Sequence, residues 1–172
     1  MMLVVNIISS FFVAFVMTSL TELISHKYIL HGLGKKKGSW FSYHINHHRV
    51  VRKDYIDPDY KAGFFKSSPY RREVLSLFLL FMSNISLLWV WPMLFYWLAF
   101  FTVAYFWGHS KSHTNPKWGM KYMRWHYDHH RFHEEGNWGV TSCFIDYVLG
   151  TRYKGTYDED GKPIRTKHQM VD

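Results

Sequence analysis

The chain has 172 residues, a length that suits one domain, and it combines 48% hydrophobic and 20% aromatic residues with a net charge of +8. Its one cysteine, Cys143, excludes an intrachain disulfide and a thiolate metal cluster. The charges are segregated. All 21 lysines and arginines lie within residues 27–72 or 111–167, whereas residues 3–21 and 74–107 contain no charged residue. This separation indicates membrane-spanning segments with basic flanks.

The two uncharged runs differ in length. Residues 3–21 suit one transmembrane helix, because about 18 or more apolar residues cross a bilayer. A cleaved signal peptide is the alternative, but a basic first segment and a small-residue cleavage site are missing. Residues 74–107 would measure about 51 Å as one helix, against a hydrocarbon core of about 30 Å. Since Trp91-Pro92 offers a turn near the middle, we predict two short spans, or a hairpin that does not fully cross.

These segments predict an all-α integral membrane helical bundle, a single domain over residues 1–172. About three spans are expected, near residues 3–25, 74–90 and 93–110, with a polar tail near 154–172. One span followed by a hairpin leaves the later histidine-bearing segments on the same side, and the basic flanks identify that side as the cytoplasm. The same charges suit anionic lipid head groups. We expect no nucleic-acid partner, because the basic residues flank the spans.

Histidine spacing is the main chemical signal. Residues 126–130, His-Tyr-Asp-His-His, place three imidazoles within about 100° of one helix face, and residues 44–48, His-Ile-Asn-His-His, repeat that pattern. His109 and His113 also share a face. His26 and His31 lie about 140° apart on a regular helix, so they meet only if the helix ends or unwinds near Gly32. Converging imidazoles predict a metal site.

Ten histidines are candidate metal ligands and catalytic residues, and they suit two metals with about five nitrogens each. Imidazole suits iron and zinc alike. The ten are His26, His31, His44, His47, His48, His109, His113, His126, His129 and His130. Four carboxylates are expected either to orient the rings or to be solvated. They are Asp128, Glu134, Glu135 and Asp146.

The position of the histidines narrows the chemistry. They lie at the ends of the predicted spans, so metals there would face an acyl chain lying among the helices. Hydrolysis needs a polarised bond, which an alkyl chain lacks, whereas a di-iron centre that activates oxygen can attack an unactivated carbon. The metals would lie at the cytoplasmic mouth of the bundle. These features favour oxygen-dependent lipid oxidation.

The ordered motifs resemble the membrane-bound fatty acid hydroxylase superfamily. The matching parts are the His26–His31 and His109–His113 pairs and the stretches 44–48 and 126–130. Residues 139–142, Gly-Val-Thr-Ser, with Asp146 and residues 150–151, Gly-Thr, resemble fatty acid 2-hydroxylases. The resemblance implies that the ten histidines bind two metal ions, with iron expected and zinc as the alternative in isolated protein. It also implies a cytoplasmic histidine-rich helical dome, O2, and electrons from a separate cytochrome- or ferredoxin-type protein.

We therefore predict a fatty acid hydroxylase-type monooxygenase acting on a long-chain fatty acyl group, in the endoplasmic reticulum or a bacterial inner membrane. Residues 137–139, Asn-Trp-Gly, resemble the sterol-oxidising branch, and the short length resembles carotenoid hydroxylases. A sterol or carotenoid oxidase or desaturase is thus the alternative enzyme. A non-catalytic membrane metal-binding protein is the other alternative. Transport is disfavoured, because the apolar runs lack histidine until their ends.

Overall fold

The computed structural model describes residues 2–159 and 162–164, and it is built from helices, as predicted. Within these residues no β-strand forms; the one β-bridge joins Tyr157 and Pro163. The helices are α1 (Met2–Leu23), α2 (Ser42–Asp54), α3 (Pro58–Ala62), α4 (Ser68–Met82), α5 (Leu87–Val90), α6 (Pro92–Thr114), α7 (Pro116–Tyr122), α8 (Arg124–Arg131) and α9 (Phe144–Leu149). A π-helical segment (Ile24–Leu30) and a 3-10 turn (Leu33–Lys35) follow α1.

The two longest helices, α1 and α6, pack against each other through small and aromatic side chains. Ala14 is fully buried against a cluster that includes Leu98 and Phe101. The ring of Phe11 meets the edge of Trp97 at 5.0 Å. A buried alanine lets the two helices approach closely, and the rings fill the space on either side. This pair forms the apolar part of the core.

The second predicted span is interrupted. Residues 74–90 begin in α4, which ends at Met82, and continue in the short helix α5. Asn84 donates its side-chain amide to the carbonyl of Leu80, and the hydroxyl of Ser83 also donates to that carbonyl. These side chains satisfy a carbonyl that the helix leaves free, and so end α4. At about 22 Å, α4 is shorter than the hydrocarbon core of a bilayer.

The third predicted span, 93–110, lies inside α6. This helix begins at Pro92, whose ring suits the first helical turn, so the predicted turn at Trp91-Pro92 is confirmed. Within the described part of the chain, one helical stretch is long and apolar enough to cross a membrane, Met2–Lys35. The predicted number of three spans is therefore not confirmed. The alternative, a hairpin that does not fully cross the bilayer, stays a prediction.

Large apolar side chains cover the outside of these helices. On α1, Leu3 and Phe12 are 64% and 60% exposed, and on α6 Val103 is 67% exposed. A soluble protein rarely exposes so much apolar surface. Together with the apolar helix, this surface indicates a membrane protein.

The remaining helices bring the polar end of the molecule together. Met123 separates α7 from α8, the helix that carries the 126–130 histidines. Beyond α9, the described part of the predicted tail folds back onto α8, where the hydroxyl of Tyr157 donates to Asp128 at 2.9 Å. Helices α2 and α8 and the end of α6 thus meet at one end of the bundle.

Candidate metal centre

All ten predicted histidines are buried and gather in one place. Their rings form two adjoining groups. Cluster 1 contains His26, His31, His44, His48 and His129. Cluster 2 contains His47, His109, His113 and His130, together with His126. His126 stands slightly apart from the tight group of four, but its Nε2 lies 3.0 Å from Nε2 of His113.

The π-helical segment explains how His26 and His31 meet. The amide of His31 donates to the carbonyl of His26 at 2.9 Å, a bond across five residues rather than four. The wider turn places residues five apart on one face, and the two ring centroids lie 5.0 Å apart. The sequence predicted that the helix must end or unwind here; the structure widens it instead.

Each three-histidine stretch supplies both clusters. On α2, His44 and His48 stand one turn apart and join cluster 1, whereas His47 turns toward cluster 2. On α8 the roles are reversed, because His129 joins cluster 1 and the remaining two join cluster 2. The two clusters are in contact at His48 and His130, whose ring centroids lie 4.1 Å apart. With the spacing i, i+3, i+4, the first and third histidines of a helix therefore join one cluster, and the second histidine joins the other.

Backbone carbonyls orient two rings of cluster 1. His26 donates from Nδ1 to the carbonyl of Trp138 at 2.8 Å, and His129 donates from Nδ1 to the carbonyl of Gly136 at 2.6 Å. A neutral imidazole carries one proton, so Nε2 of each ring is left with a free lone pair. Those Nε2 atoms point into the cluster, where Nε2 of His129 lies 3.2 Å from Nε2 of His31.

Carboxylates orient two rings of cluster 2. His47 donates from Nδ1 to Asp57 at 2.5 Å, and His109 donates from Nδ1 to Glu73 at 2.8 Å. His113 donates from Nδ1 to the carbonyl of Tyr55 at 3.2 Å. Three rings of this cluster thus also carry their proton on the outer nitrogen.

Burial keeps these rings neutral. Removal from water, followed by the charges of neighbouring histidines, lowers the pKa of His44 and His48 well below the usual 6.5. The same causes lower the pKa of His126, and burial is the main cause for His129. Neutral imidazole is the form that binds a metal ion.

A tight loop over residues 136–141 holds the outer side of cluster 1. The amides of Trp138 and Gly139 donate to the carboxylate of Asp146, and the amides of Val140 and Thr141 donate to that of Glu22. Gly139 is required here, because a Cβ would lie 2.0 Å from the carbonyl oxygen of Ser142. The ring of Trp138 covers cluster 1, with centroids 5.2 to 5.7 Å from three of its histidines.

The four predicted carboxylates do not orient rings directly. Asp128 accepts from Arg124 and Arg152, and Glu135 lies near Lys35. Glu134 pairs with Arg52 and lies 3.7 Å from Nδ1 of His48, which is beyond hydrogen-bond range. Asp146 acts through the loop described above. Asp128 and Asp146 are fully buried, where arginine side chains and backbone amides respectively bind them, whereas Glu134 and Glu135 pair with Arg52 and Lys35 nearer the surface.

Sequence reasoning missed the acids that do contact the rings. Asp57 lies in a loop after α2, and Glu73 lies on α4, and both are buried. Asp57 lies 10 residues from His47, and Glu73 lies 36 residues from His109. In the sequence Glu73 is marked only as the last charged residue before a long apolar run, which does not indicate contact with a ring.

An apolar cavity of about 620 Å³ leads to the centre between α1, α4 and α6. Its walls include Leu77, Leu98 and Phe101, and at its inner end lie His26 and Glu73. Volumes of about 300–1,000 Å³ are typical of small-molecule sites. The cavity therefore gives an apolar ligand access to His26 of cluster 1.

A second, much smaller cavity of about 20 Å³ lies beside both clusters. His44 of cluster 1 and His47 and His109 of cluster 2 line it. Glu73 and Tyr105 line this cavity and the apolar one alike. The space suffices for about one water-sized molecule. A small reactant and an apolar chain would thus lie on either side of the shared Glu73 and Tyr105.

Comparison with known proteins gives one match. The family model described as fatty acid hydroxylase matches residues 11–151, which include all ten histidines, the loop over residues 136–141 and the inner walls of the apolar cavity. Searches of curated proteins and of solved structures returned no match.

Proposed function

The chain belongs to the fatty acid hydroxylase family, and we propose that it is an oxygen-dependent lipid hydroxylase that acts on a long-chain fatty acyl group. The family carries histidine-dependent activity of the hydroxylase or desaturase type, so the chain is an oxidoreductase of that general kind. One observation carries the proposal: ten buried imidazoles face one another in two groups at the inner end of an apolar cavity.

The ring nitrogens fit cations. His47 and His113 both carry their proton on Nδ1, so two lone pairs face each other where their Nε2 atoms lie 3.2 Å apart. Such a contact is repulsive unless a cation lies between the rings. Buried nitrogens without a protein partner point to the same need: both ring nitrogens of His130, Nε2 of His109 and Nδ1 of His126.

The distances also fit shared cations. A metal–nitrogen bond of about 2.0–2.1 Å places ligands at tetrahedral or octahedral angles about 2.8–3.4 Å apart. In cluster 1 the Nε2 atoms of His26 and His44 lie 3.0 Å apart, and those of His129 and His48 lie 3.3 Å apart. Clusters 1 and 2 would therefore hold one metal ion each, through the ten predicted histidines.

When bound, a pair of iron ions would supply the reduction of O2 that lets a C–H bond be attacked, which no side chain can do. One oxygen atom would enter the C–H bond, while electrons and protons from outside reduce the other to water. The protein's own part is to hold the rings in the metal-binding tautomer through Asp57, Glu73 and the carbonyls of the 136–141 loop. Iron is the expected metal, and zinc is the alternative in isolated protein.

The apolar cavity would bind the acyl chain. Leu77, Leu98 and Phe101 offer no hydrogen bond to it, so they would hold the chain by contact alone and exclude water. His26 and Glu73 at the inner end mark where the reacting carbon would lie. The acyl substrate would enter from the bilayer, because the surrounding helices expose apolar side chains.

The partners follow from the chemistry. Electrons are expected from a separate protein of the cytochrome or ferredoxin type, because insertion of one oxygen atom of O2 requires two electrons from an outside donor. The basic segments favour a cytoplasmic position for the histidine end, in the endoplasmic reticulum or a bacterial inner membrane. They also suit an anionic bilayer surface rather than a nucleic acid.

Expression of the full chain in cells under ¹⁸O2 tests this function. The expected result is a membrane lipid whose acyl chain carries one new hydroxyl labelled with ¹⁸O. The His113→Ala variant is the control, since it removes a proposed ligand. A new double bond without added oxygen would indicate a desaturase, and an oxygenated sterol or carotenoid would indicate the other substrates. Unchanged lipids together with bound metal would contradict the enzymatic proposal and favour a metal-binding role.

A further inference from the structure

Clusters 1 and 2 differ in the groups that accept hydrogen bonds from their rings: backbone carbonyls in cluster 1, and two carboxylates in cluster 2. We propose that the two metal sites are inequivalent, and that cluster 2 binds its ion first and more tightly because buried Asp57 and Glu73 support it. The inference rests on the proposed function, since it assumes that both clusters bind metal. It assigns Asp57 and Glu73 as positioning residues that act on the metal through His47 and His109.

The two carboxylates are built into the interior. Asp57 is 3% exposed and Glu73 is 7% exposed. Each forms a short hydrogen bond to a ring, from Nδ1 of His47 at 2.5 Å and from Nδ1 of His109 at 2.8 Å. Two negative charges therefore stand directly behind two ligands of the same ion.

Both carboxylates are held in place by their second oxygen. Oδ1 of Asp57 accepts from the amide of Asp59 at 2.8 Å, which caps the start of α3. Oε2 of Glu73 accepts from the hydroxyl of Tyr60 at 2.6 Å. Neither group can turn away from its histidine without losing this bond. The protein itself therefore fixes the orientation of both carboxylates.

Cluster 1 is supported by neutral groups. His26 and His129 donate to backbone carbonyls, of Trp138 and Gly136. The nearest carboxylate is that of Glu134, 3.7 Å from Nδ1 of His48 and occupied by Arg52 at 2.7 Å. Among the described residues, no carboxylate forms a hydrogen bond to a ring of cluster 1.

The difference matters because a carboxylate does more than a carbonyl. It draws the Nδ1 proton toward itself, so that Nε2 becomes a stronger donor to the metal. Its negative charge also attracts the cation directly, and that attraction is only weakly screened in a buried site. Loss of such an outer group typically lowers metal affinity by about 10–100-fold. The metal affinity of cluster 2 should exceed that of cluster 1 by a factor of this order.

Titration of the metal-free, detergent-solubilised full chain with Co²⁺ tests the proposal, with a chelator as competitor and the visible absorption of the bound ion as the signal. Two separated binding steps are expected, with affinities at least about tenfold apart. Two steps of equal affinity would contradict the inequivalence of the two sites but would leave the proposed function standing. Absence of Co²⁺ binding would contradict the proposed function itself, so the two failures can be told apart.

Variants assign the steps to the clusters. Asp57→Asn and Glu73→Gln keep the side-chain shape and remove the charge, and each should weaken the tight step by about 10–100-fold while leaving the weak step unchanged. Glu134→Gln is the matched control, and both steps should persist in it. Circular dichroism checks that each variant is folded. Asp57→Asn also weakens the cap of α3. If this variant loses helical structure, the assignment of the tight step to cluster 2 depends on Glu73→Gln. A variant that weakens the weaker step, or a large effect of Glu134→Gln, would overturn the proposal.

Discussion

The histidine centre and the apolar cavity meet at His26 and Glu73, but they are built in opposite ways. The centre is polar and almost fully buried, and its rings are fixed by hydrogen bonds to partners far away in sequence. Most of the cavity wall is apolar, although polar side chains such as Glu22 and Ser76 also line it. Specific bonds define the position of a metal, whereas the shape of a mainly apolar wall defines the space for a chain. Changes in the two regions should therefore separate metal binding from substrate binding.

Substitution of a central ligand should have the largest effect. Nε2 of His129 lies 3.2 Å from Nε2 of His31 and 3.3 Å from Nε2 of His48, so His129→Ala removes a donor from the middle of cluster 1. We expect oxidation to fall by at least about 100-fold and metal content to drop, since even outer groups account for about 10–100-fold in affinity. Lipid analysis and metal analysis measure the two effects.

The matched control is His133→Ala, three residues after the last proposed ligand. Its ring packs on Tyr153 and stands outside both clusters. Metal content and oxidation should persist in this variant. Full turnover by His129→Ala would remove that residue from the ligand set.

Filling the cavity should lower activity without loss of metal. Thr102 lines the cavity on α6, and Thr102→Phe would place a ring in the space proposed for the acyl chain. Overlap of this ring with the bound chain should cost roughly 1–3 kcal/mol, or about 5–150-fold in acyl-chain binding. Turnover against lipid concentration measures the change, and metal analysis should give the wild-type value.

Its neighbour Val103 provides the control. Val103 is 67% exposed on the outer face of α6, so Val103→Phe adds the same ring without entering the cavity. Equal losses in the two variants would mean that the cavity does not bind the substrate. Loss of metal from Thr102→Phe would mean that the two regions are not separable.

The loop that supports cluster 1 should show a smaller effect. Asp146 accepts from the amides of Trp138 and Gly139, and Asp146→Asn leaves one of these donors opposite an amide group. An unsatisfied buried donor costs about 1–3 kcal/mol, so the free energy of unfolding of the metal-free protein should fall by that amount. Thermal unfolding in detergent measures it. Asp158→Asn, at an exposed turn, should leave the transition unchanged; an equal shift would show that the loop gains nothing from Asp146.

The helical class and the clustering of histidines could be predicted because both depend on local patterns. Apolar runs indicate helices, and the spacing i, i+3, i+4 places rings on one face whatever surrounds them. The pair His26 and His31 could be predicted only in part. Their spacing fails on a regular helix, and the π-helical segment that unites them has no distinct composition in the sequence.

The division of the histidines between two clusters, and the acids behind them, could not be predicted. Asp57 and Glu73 contact their rings through folding of the 55–73 segment, which brings together residues that lie far apart in sequence. The break after Met82 was missed for a related reason: Ser83 and Asn84 are uncharged, so the apolar run looked continuous. Polar side chains that bind a helix carbonyl are weak signals in a hydropathy pattern.

X-ray absorption spectroscopy of the full chain, loaded with iron under anaerobic conditions, tests the central claim most directly. It reports the metal together with the atoms bound to it. The account predicts about two iron ions per chain, each surrounded mainly by imidazole nitrogens at about 2 Å. An iron site dominated by oxygen ligands, or no more than one ion per chain at saturation, would contradict it.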